Sequence, residues 1–457
     1  MGPPSPLHRP TGIRSADNMF YYRSAYLKPV TFMKEDACWI REQVKQHTKW
    51  FEQSLPMIAS ENLMSPLAKE MMISDFHDRY AEGMPGKRYY QGNIYVDKVE
   101  LKCLELARKI FDAQFVDVRP ISGTVANIAV LFALTEPGDK IATPELASGA
   151  HISTAQFGAV GLRGLNPVHY PWDYKNWNLD IDATRKFLRK EKPKVAQFGL
   201  SVFLFPTPIK ELEDALQDAG CLVWYDAAHV LGLIAGKKFQ DPLREGVDVI
   251  SGSTHKTFPG PNHGILVGND LSGEVEAKLR KAAFPGVTSS HHLHAMAALA
   301  VTMAEYEIYG KKYAGQVIKN AKALGSALYD MGIDVMCPHL GFTESHTLAV
   351  SVANQGGGAQ VAQDLERANI IVNKNMLPGD TSSVKPSGIR LGTQELTRLG
   401  MEKGEMEEVA RLIYRVVVKK EDPEVVKKDV WELKKEFTKV RYCLNEGEEA
   451  YQYHELV

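Results

Sequence analysis

Apolar positions along this chain follow two patterns, helical stripes and short continuous runs. From about Asp36 to Ser54 the segment CWIREQVKQHTKWFEQS has helical spacing. Beyond it come apolar runs at Val116 to Arg119, Lys140 to Thr143, Val195 to Leu200, Cys221 to Asp226, Val247 to Ser251 and Gly264 to Val267. They are short, continuous and rich in β-branched residues, which predicts parallel strands covered on both faces. A long helical stretch, His294 to Met331 with a break at Gly310, separates them from a second block. That block reads strand, helix, strand, helix at Leu348 to Val352, Gln360 to Arg367, Ile370 to Asn373 and Met406 to Lys419. The alternation predicts an α/β fold. Its expected parts are a tail over residues 1–35, an N-terminal helix and large α/β domain over 36–310, and a small α+β domain over 311–457.

The chain has 457 residues, of which 44% are hydrophobic, enough for a sizeable core. Lys and Arg number 54 against 56 Asp and Glu, so no polycationic footprint for nucleic acid exists. No apolar run approaches the ~18 to 20 residues that cross a bilayer, so no membrane partner is expected. Five scattered cysteines without a CxxC pair argue against a disulfide framework or thiolate zinc site and suit a reducing cytoplasm. The opening MGPPSPLHRPTG carries prolines without an apolar period and reads as a plain extension, or as an over-long start with Met33 as the true one. The HHLH run (His291, His292, His294) lacks a carboxylate or cysteine at ligand spacing and reads as a polar loop, so no metal is expected.

Chemistry concentrates in SGSTHKTFPGP, Ser251 to Pro261, where Lys256 follows an apolar strand among small and hydroxylic residues. A Schiff-base lysine needs surroundings that favour its neutral form, and Thr254, His255 and Thr257 are the candidate polar partners. Asp226 ends the preceding strand, CLVWYD, and open α/β sheets bind ligands beyond their carboxyl strand ends. A lysine for the aldehyde and a carboxylate for the pyridine nitrogen are the pair that pyridoxal phosphate requires. A phosphate cradle is offered by ISGTVAN, with Ser122, Gly123 and Thr124 between a strand and an apolar helix, although a Ser before a helix is more often only a cap. His151 in ELASGAHIS and His229 in DAAHVLG are further candidates near strand ends.

The blocks IASENLMSP, RYAEGMPGKRYYQGNIYVDKVE, STHKT, FPGV, NKNMLP and SGIRLGT, in that order, resemble serine hydroxymethyltransferase over roughly Met57 to Met401. The resemblance implies a fold type I pyridoxal phosphate transferase, whose large domain holds a mostly parallel, seven-stranded type of sheet. It also implies a homodimer with active sites shared between subunits. Carried onto matching residues, it makes Lys256 the internal aldimine, with His255 and Thr254 beside it, and Asp226 the pyridine-nitrogen partner. His151 is then stacked on the cofactor ring, and His229 and Ser201 lie beside its hydroxyl oxygen. Ser122, Gly123 and Thr124 hold the phosphate, with Gly286 and Tyr80 arriving from the neighbouring subunit. Arg390, Ser60 and Tyr90 bind the substrate, while Glu82, Tyr89 and Asn375 border a tetrahydropterin of folate or methanopterin type. Glu82 is the acid or base candidate for the hydroxymethyl oxygen as serine becomes glycine.

One departure stands out. After STHKTFPGP the common pattern continues Arg-Gly-Gly, whereas this chain has Asn262, His263 and Gly264. The blocks KFQDPLREG, FPGVTSSHHLH and LGTQELTRLGM look closer to archaeal members, which also lack that arginine, and this favours a methanopterin type of co-substrate. Three functions compete: the hydroxymethyltransferase, an aldolase or transaldolase acting on threonine or another β-hydroxy amino acid, and a non-catalytic protein on the same fold. Retention of Lys256, Asp226, His151 and Arg390 together argues against the third.

Overall fold

The computed structural model describes residues 30–456, so the tail expected over 1–35 lies outside the described residues up to residue 29. The helix expected from Asp36 begins earlier, at Val30, and runs to Glu52. Two compact units divide the chain: residues to 51 with those from 452 onward, and residues 52–451. In the first, Lys45 and Arg41 pair with Glu455. The second carries the seven-stranded and four-stranded sheets, three two-stranded ones and all the candidate site residues.

Seven strands form the main sheet: β1 (Phe115–Asp117), β2 (Lys140–Thr143), β3 (Asn166–His169), β4 (Val195–Phe198), β5 (Leu222–Asp226), β6 (Val249–Ser253) and β7 (Gly264–Gly268). Their spatial order is β1-β7-β6-β5-β4-β2-β3. The five strands from β6 to β3 are parallel, whereas β7 pairs antiparallel with both β6 and β1. The sheet is therefore mostly parallel, as expected, with β7 the exception, because burial on both faces leaves the same apolar run whichever way a strand points. β3, NPVH, was not expected: it is a half-exposed edge strand with a proline, which edges tolerate.

The predicted long helix is Leu293–Asp330, continuous through Gly310. Gly310 is there for packing rather than as a break, since a Cβ on it would stand 2.3 Å from the Tyr306 ring. The helix serves two cores. Leu293, Met296, Leu299, Met303 and Tyr313 belong to the main-sheet core, and Leu324 and Leu328 to a second core. The second core underlies a sheet of β8 (Asp334–Val335), β9 (Thr347–Ser351), β10 (Asn373–Asn375) and β11 (Gly388–Gly392), ordered β8-β9-β11-β10. The strand expected over Ile370 to Asn373 is split: Ile370–Ile371 pairs with Leu55–Pro56, and Asn373 starts β10 against Arg390. Among the described residues no helix is long and apolar enough to cross a membrane.

Candidate active site

β5 and β6 run in parallel register, with Asp226 beside Ser251, so both chains leave the sheet on the same edge. The loop after β6 carries Lys256 back over that edge. Lys256 and Asp226 line one cavity with Gly123, Thr124, Asn127, His151, Leu200, Ser201, Ala228, His229 and Ser253. Lys256 is only 8% exposed. Burial lowers its ammonium to about 8, with Arg390 pushing the same way and Asp226 opposing. A substantial share of the amine is therefore neutral near physiological pH, which is what an attacking amine needs.

Asp226 is held by a buried chain of polar groups. Asn127 Nδ2 donates to its Oδ2 at 2.7 Å, and the Ala228 N–H donates to its Oδ1 at 3.0 Å. Asn127 Oδ1 accepts from Ser251 Oγ at 2.6 Å, and Ser251 Oγ accepts from Trp224 Nε1 at 2.8 Å. These bonds fix which end of the Asn127 amide faces the carboxylate. His151 Nδ1 accepts from the Ser153 N–H at 3.2 Å and lies 2.7 Å from Ser153 Oγ. Burial lowers the His151 pKa against the pull of Asp226, and lowers that of His229 further, which favours the neutral form of both rings.

The helix Gly123–Leu134 begins at the same cavity. Ser122 Oγ accepts from the Val125 N–H at 3.2 Å, so its hydroxyl caps the helix, while Gly123 and Thr124 line the cavity. A Cβ at Gly123 would lie 2.0 Å from Ser253 Oγ and 3.1 Å from Ser253 Cβ, so glycine favours the close approach of the helix start to the end of β6.

Arg390 reaches the same side from β11. Its Nη1 donates to the Ser201 carbonyl at 2.8 Å and its Nε to Asn373 Oδ1 at 3.2 Å. Burial lowers the guanidinium to about 10, so it stays charged at neutral pH. Ser60 lies in the turn Ile58–Glu61, whose two carbonyls each accept from Gln394 Nε2 at 2.7 Å. Asn62 Nδ2 ties this segment to the lysine loop through the Lys256 carbonyl at 2.6 Å and to Tyr313 Oη at 2.8 Å.

Tyr80, Glu82, Tyr89, Tyr90 and Gly286 form a separate group, and none of them lines the Lys256 cavity. Tyr80 Oη donates to Glu82 Oε1 at 3.1 Å, and the Tyr80 and Tyr90 rings meet at 4.9 Å. Tyr89 faces Phe284, of the segment that holds Gly286, at 6.3 Å, and Tyr89 is 74% exposed. Asn375 Nδ2 donates to the Met376 carbonyl at 2.6 Å, and Met376 lines a second cavity with Glu145, Leu146, Ala150, Phe157 and His169.

Several expectations need correction. Thr254 and Thr257 do not partner the lysine amine: Thr254 Oγ1 donates to the Pro261 carbonyl at 2.7 Å and Thr257 Oγ1 to the His229 carbonyl at 2.8 Å. Buried backbone acceptors claim both hydroxyls, which shape the loop instead. His255 Nδ1 is buried without a partner, and burial takes its pKa to about 4. His263 is fully buried, and its Nε2–H donates to the Val118 carbonyl at 2.6 Å, tying the lysine loop to β1's end. The HHLH run is a loop only in part: His294 lies in the first turn of the helix from Leu293, and buried His291 sits 3.2 Å from Glu100. Asn62, Asn127, Ser153, Asn373 and Gln394 had not been singled out. All five lie inside blocks already quoted, and an amide in an apolar run is itself a signal, because burial obliges it to find partners.

The donor set fits pyridoxal phosphate: a buried lysine with a neutral fraction, an aspartate carboxyl fixed in the same cavity, imidazoles whose burial favours the neutral form, and a helix start opened by glycine beside them. The serine hydroxymethyltransferase family model matches residues 33–413. The serine hydroxymethyltransferase of Thermoplasma volcanium is 54% identical, over 93% of this chain and 99% of its own. That of Methanopyrus kandleri is 51% identical, again over 93% and 99%. The structure of L-threonine transaldolase from Pseudomonas fluorescens superposes with a TM-score of 0.84 at 26% identity, covering 91% of this chain and 95% of that one. The identity, sustained along both chains, shows that this chain belongs to the serine hydroxymethyltransferase family.

Proposed function

We propose that the chain interconverts serine and glycine and passes the hydroxymethyl carbon to a tetrahydropterin. The observation that carries this reading is the convergence of Lys256, Asp226 and the Arg390 strand on one buried edge of the main sheet. Pyridoxal phosphate, when bound, supplies an electron sink for bonds at the amino acid's α-carbon. Lys256 and Asp226 would hold its aldehyde carbon and its pyridine nitrogen, and Gly123 and Thr124 its phosphate. Asp226 keeps a proton on the pyridine nitrogen, and Asn127 keeps Asp226 aimed. Arg390 grips the substrate carboxylate through parallel hydrogen bonds, which sets the orientation of the Cα bonds. Ser60 and Tyr90 complete the substrate side.

Glu82 moves the proton on the hydroxymethyl oxygen. Its absence from the lining of the Lys256 cavity within one chain, with Tyr80, Tyr89 and Gly286 grouped beside it, supports a homodimer in which one copy completes the other's site. Tyr89 and Asn375 border the pterin, of methanopterin or folate type. Five free thiols suit a cytoplasmic setting. The transaldolase likeness favours a second reading, in which another aldehyde replaces the one-carbon unit. Serine carrying carbon-13 at its β-carbon separates them. Label that appears in the added tetrahydropterin, with unlabelled glycine, supports the transferase; label that never reaches a pterin overturns it.

A further inference from the structure

His346 belongs to no motif described above, yet it touches three parts of the site at once. It is completely buried just before β9. Its ring stacks on that of His229, with centroids 5.9 Å apart and planes at 21°. His229 lines the Lys256 cavity. On the other edge, His346 Nε2 lies 3.1 Å from the Ala59 carbonyl, one residue before Ser60, and 3.0 Å from Thr347 Oγ1. A carbonyl accepts only, so Nε2 carries the hydrogen. The neutral ring then leaves Nδ1 bare, and Nδ1 is indeed buried without a partner. The His346 carbonyl accepts from the Thr393 N–H at 3.2 Å, just past the β11 strand that bears Arg390. Ala59 also packs so closely on Gly392 that a Cβ there would stand 2.5 Å from the Ala59 Cα.

We propose that His346 is a positioning residue for the reaction, whose ring braces His229 at the cofactor cavity while its Nε2–H fixes the Ala59–Ser60 segment on the substrate side. The two functions reside in different parts of one side chain, so they separate on substitution. Phenylalanine keeps a flat ring and loses the N–H; glutamine keeps an amide donor at similar reach and loses the ring. The inference rests on the serine–glycine reading for its substrate constant only.

The test compares His346→Phe and His346→Gln with the wild type, using pyridoxal phosphate titration of the cofactor-free protein and serine kinetics at saturating cofactor. Phe is expected to raise the serine KM about tenfold, the worth of roughly one buried hydrogen bond, with the cofactor dissociation constant within about twofold. Gln is expected to raise the cofactor dissociation constant about tenfold and to leave the serine KM within about threefold. Equal changes in both constants for both variants, or no change in either, overturn the proposal. Should either variant fail to fold, nitrogen-15 imidazole spectra of the wild type decide: a hydrogen on Nε2 supports the proposal and one on Nδ1 overturns it. Cofactor titration needs no turnover, so a wild type inactive on serine would count against the serine–glycine reading without touching this result.

Discussion

Asn127 and Asp226 share a hydrogen bond of 2.7 Å between two buried side chains, and the amide is locked in place by Ser251 on its other end. The pair joins the start of the cradle helix to the end of the central strand, so one contact orients the acid and anchors the helix. Replacing Asn127 with Leu removes a charge-assisted bond and leaves Ser251 Oγ short of an acceptor. The pyridoxal phosphate dissociation constant is expected to rise about ten- to a hundredfold, measured by titration of the cofactor-free protein. An unchanged constant would mean that Asp226 needs no aim.

Arg390 should behave as the carboxylate anchor. Arg390→Ala is expected to raise the serine KM and lower kcat/KM by about two powers of ten. Lysine should rescue little, because an ammonium lacks the planar fork. Asn373→Ala, which removes the contact to Arg390 Nε along with a bond from Asn373 Nδ2 to the Lys374 carbonyl, should cost about three- to tenfold in steady-state kinetics. Near-normal kinetics of the alanine variant at Arg390 would place the carboxylate elsewhere.

The depressed pKa of Lys256 implies a stability penalty with a definite pH window. The folded protein holds this amine at about 8 against 10.5 for the ordinary value, so between those limits the unfolded chain binds more protons. The penalty, roughly 3 kcal/mol by that shift, is fully present below pH 8 and fades as pH rises toward 10.5. Urea unfolding of the cofactor-free protein should therefore show Lys256→Met gaining on the wild type at pH 7. That gain should shrink steadily by pH 10; a pH-independent difference would contradict the burial argument.

In the proposed homodimer, Glu82 of one copy and Lys256 of the other would complement each other. Glu82→Gln keeps size and hydrogen bonding but loses the titrating proton, and should lower serine cleavage by at least about a hundredfold while cofactor binding survives. Mixing it with Lys256→Ala, also inactive, should restore about a quarter of the wild-type rate after random subunit exchange. No recovery in verified mixed dimers would place Glu82 and Lys256 of one site on the same chain.

Much of this arrangement is legible in the sequence because it depends on local pattern. CLVWYD and the small-residue run before Lys256 mark strand ends, and two strand ends on one sheet edge already bring Asp226 and Lys256 together. What escapes is set by contacts far along the chain. Thr257 spends its hydroxyl on His229 and Asn62 spends its amide on Lys256, choices that spacing does not reveal. The direction of β7 leaves no trace in its apolar run, and Gly310 reads as a break until Tyr306 packs over it. His346 escaped for the same reason: its partners, Ala59 and His229, lie more than a hundred residues upstream.

In the proposed reaction, serine gives up its hydroxymethyl carbon to a pterin at the Lys256 site. The most direct test is the rate of glycine formation from serine and from threonine by the purified, cofactor-loaded protein, each with and without tetrahydromethanopterin or tetrahydrofolate. Serine cleavage is expected to depend on one of the two pterins and then to outpace threonine cleavage. Threonine cleaved faster than serine, with neither pterin having any effect, would contradict it.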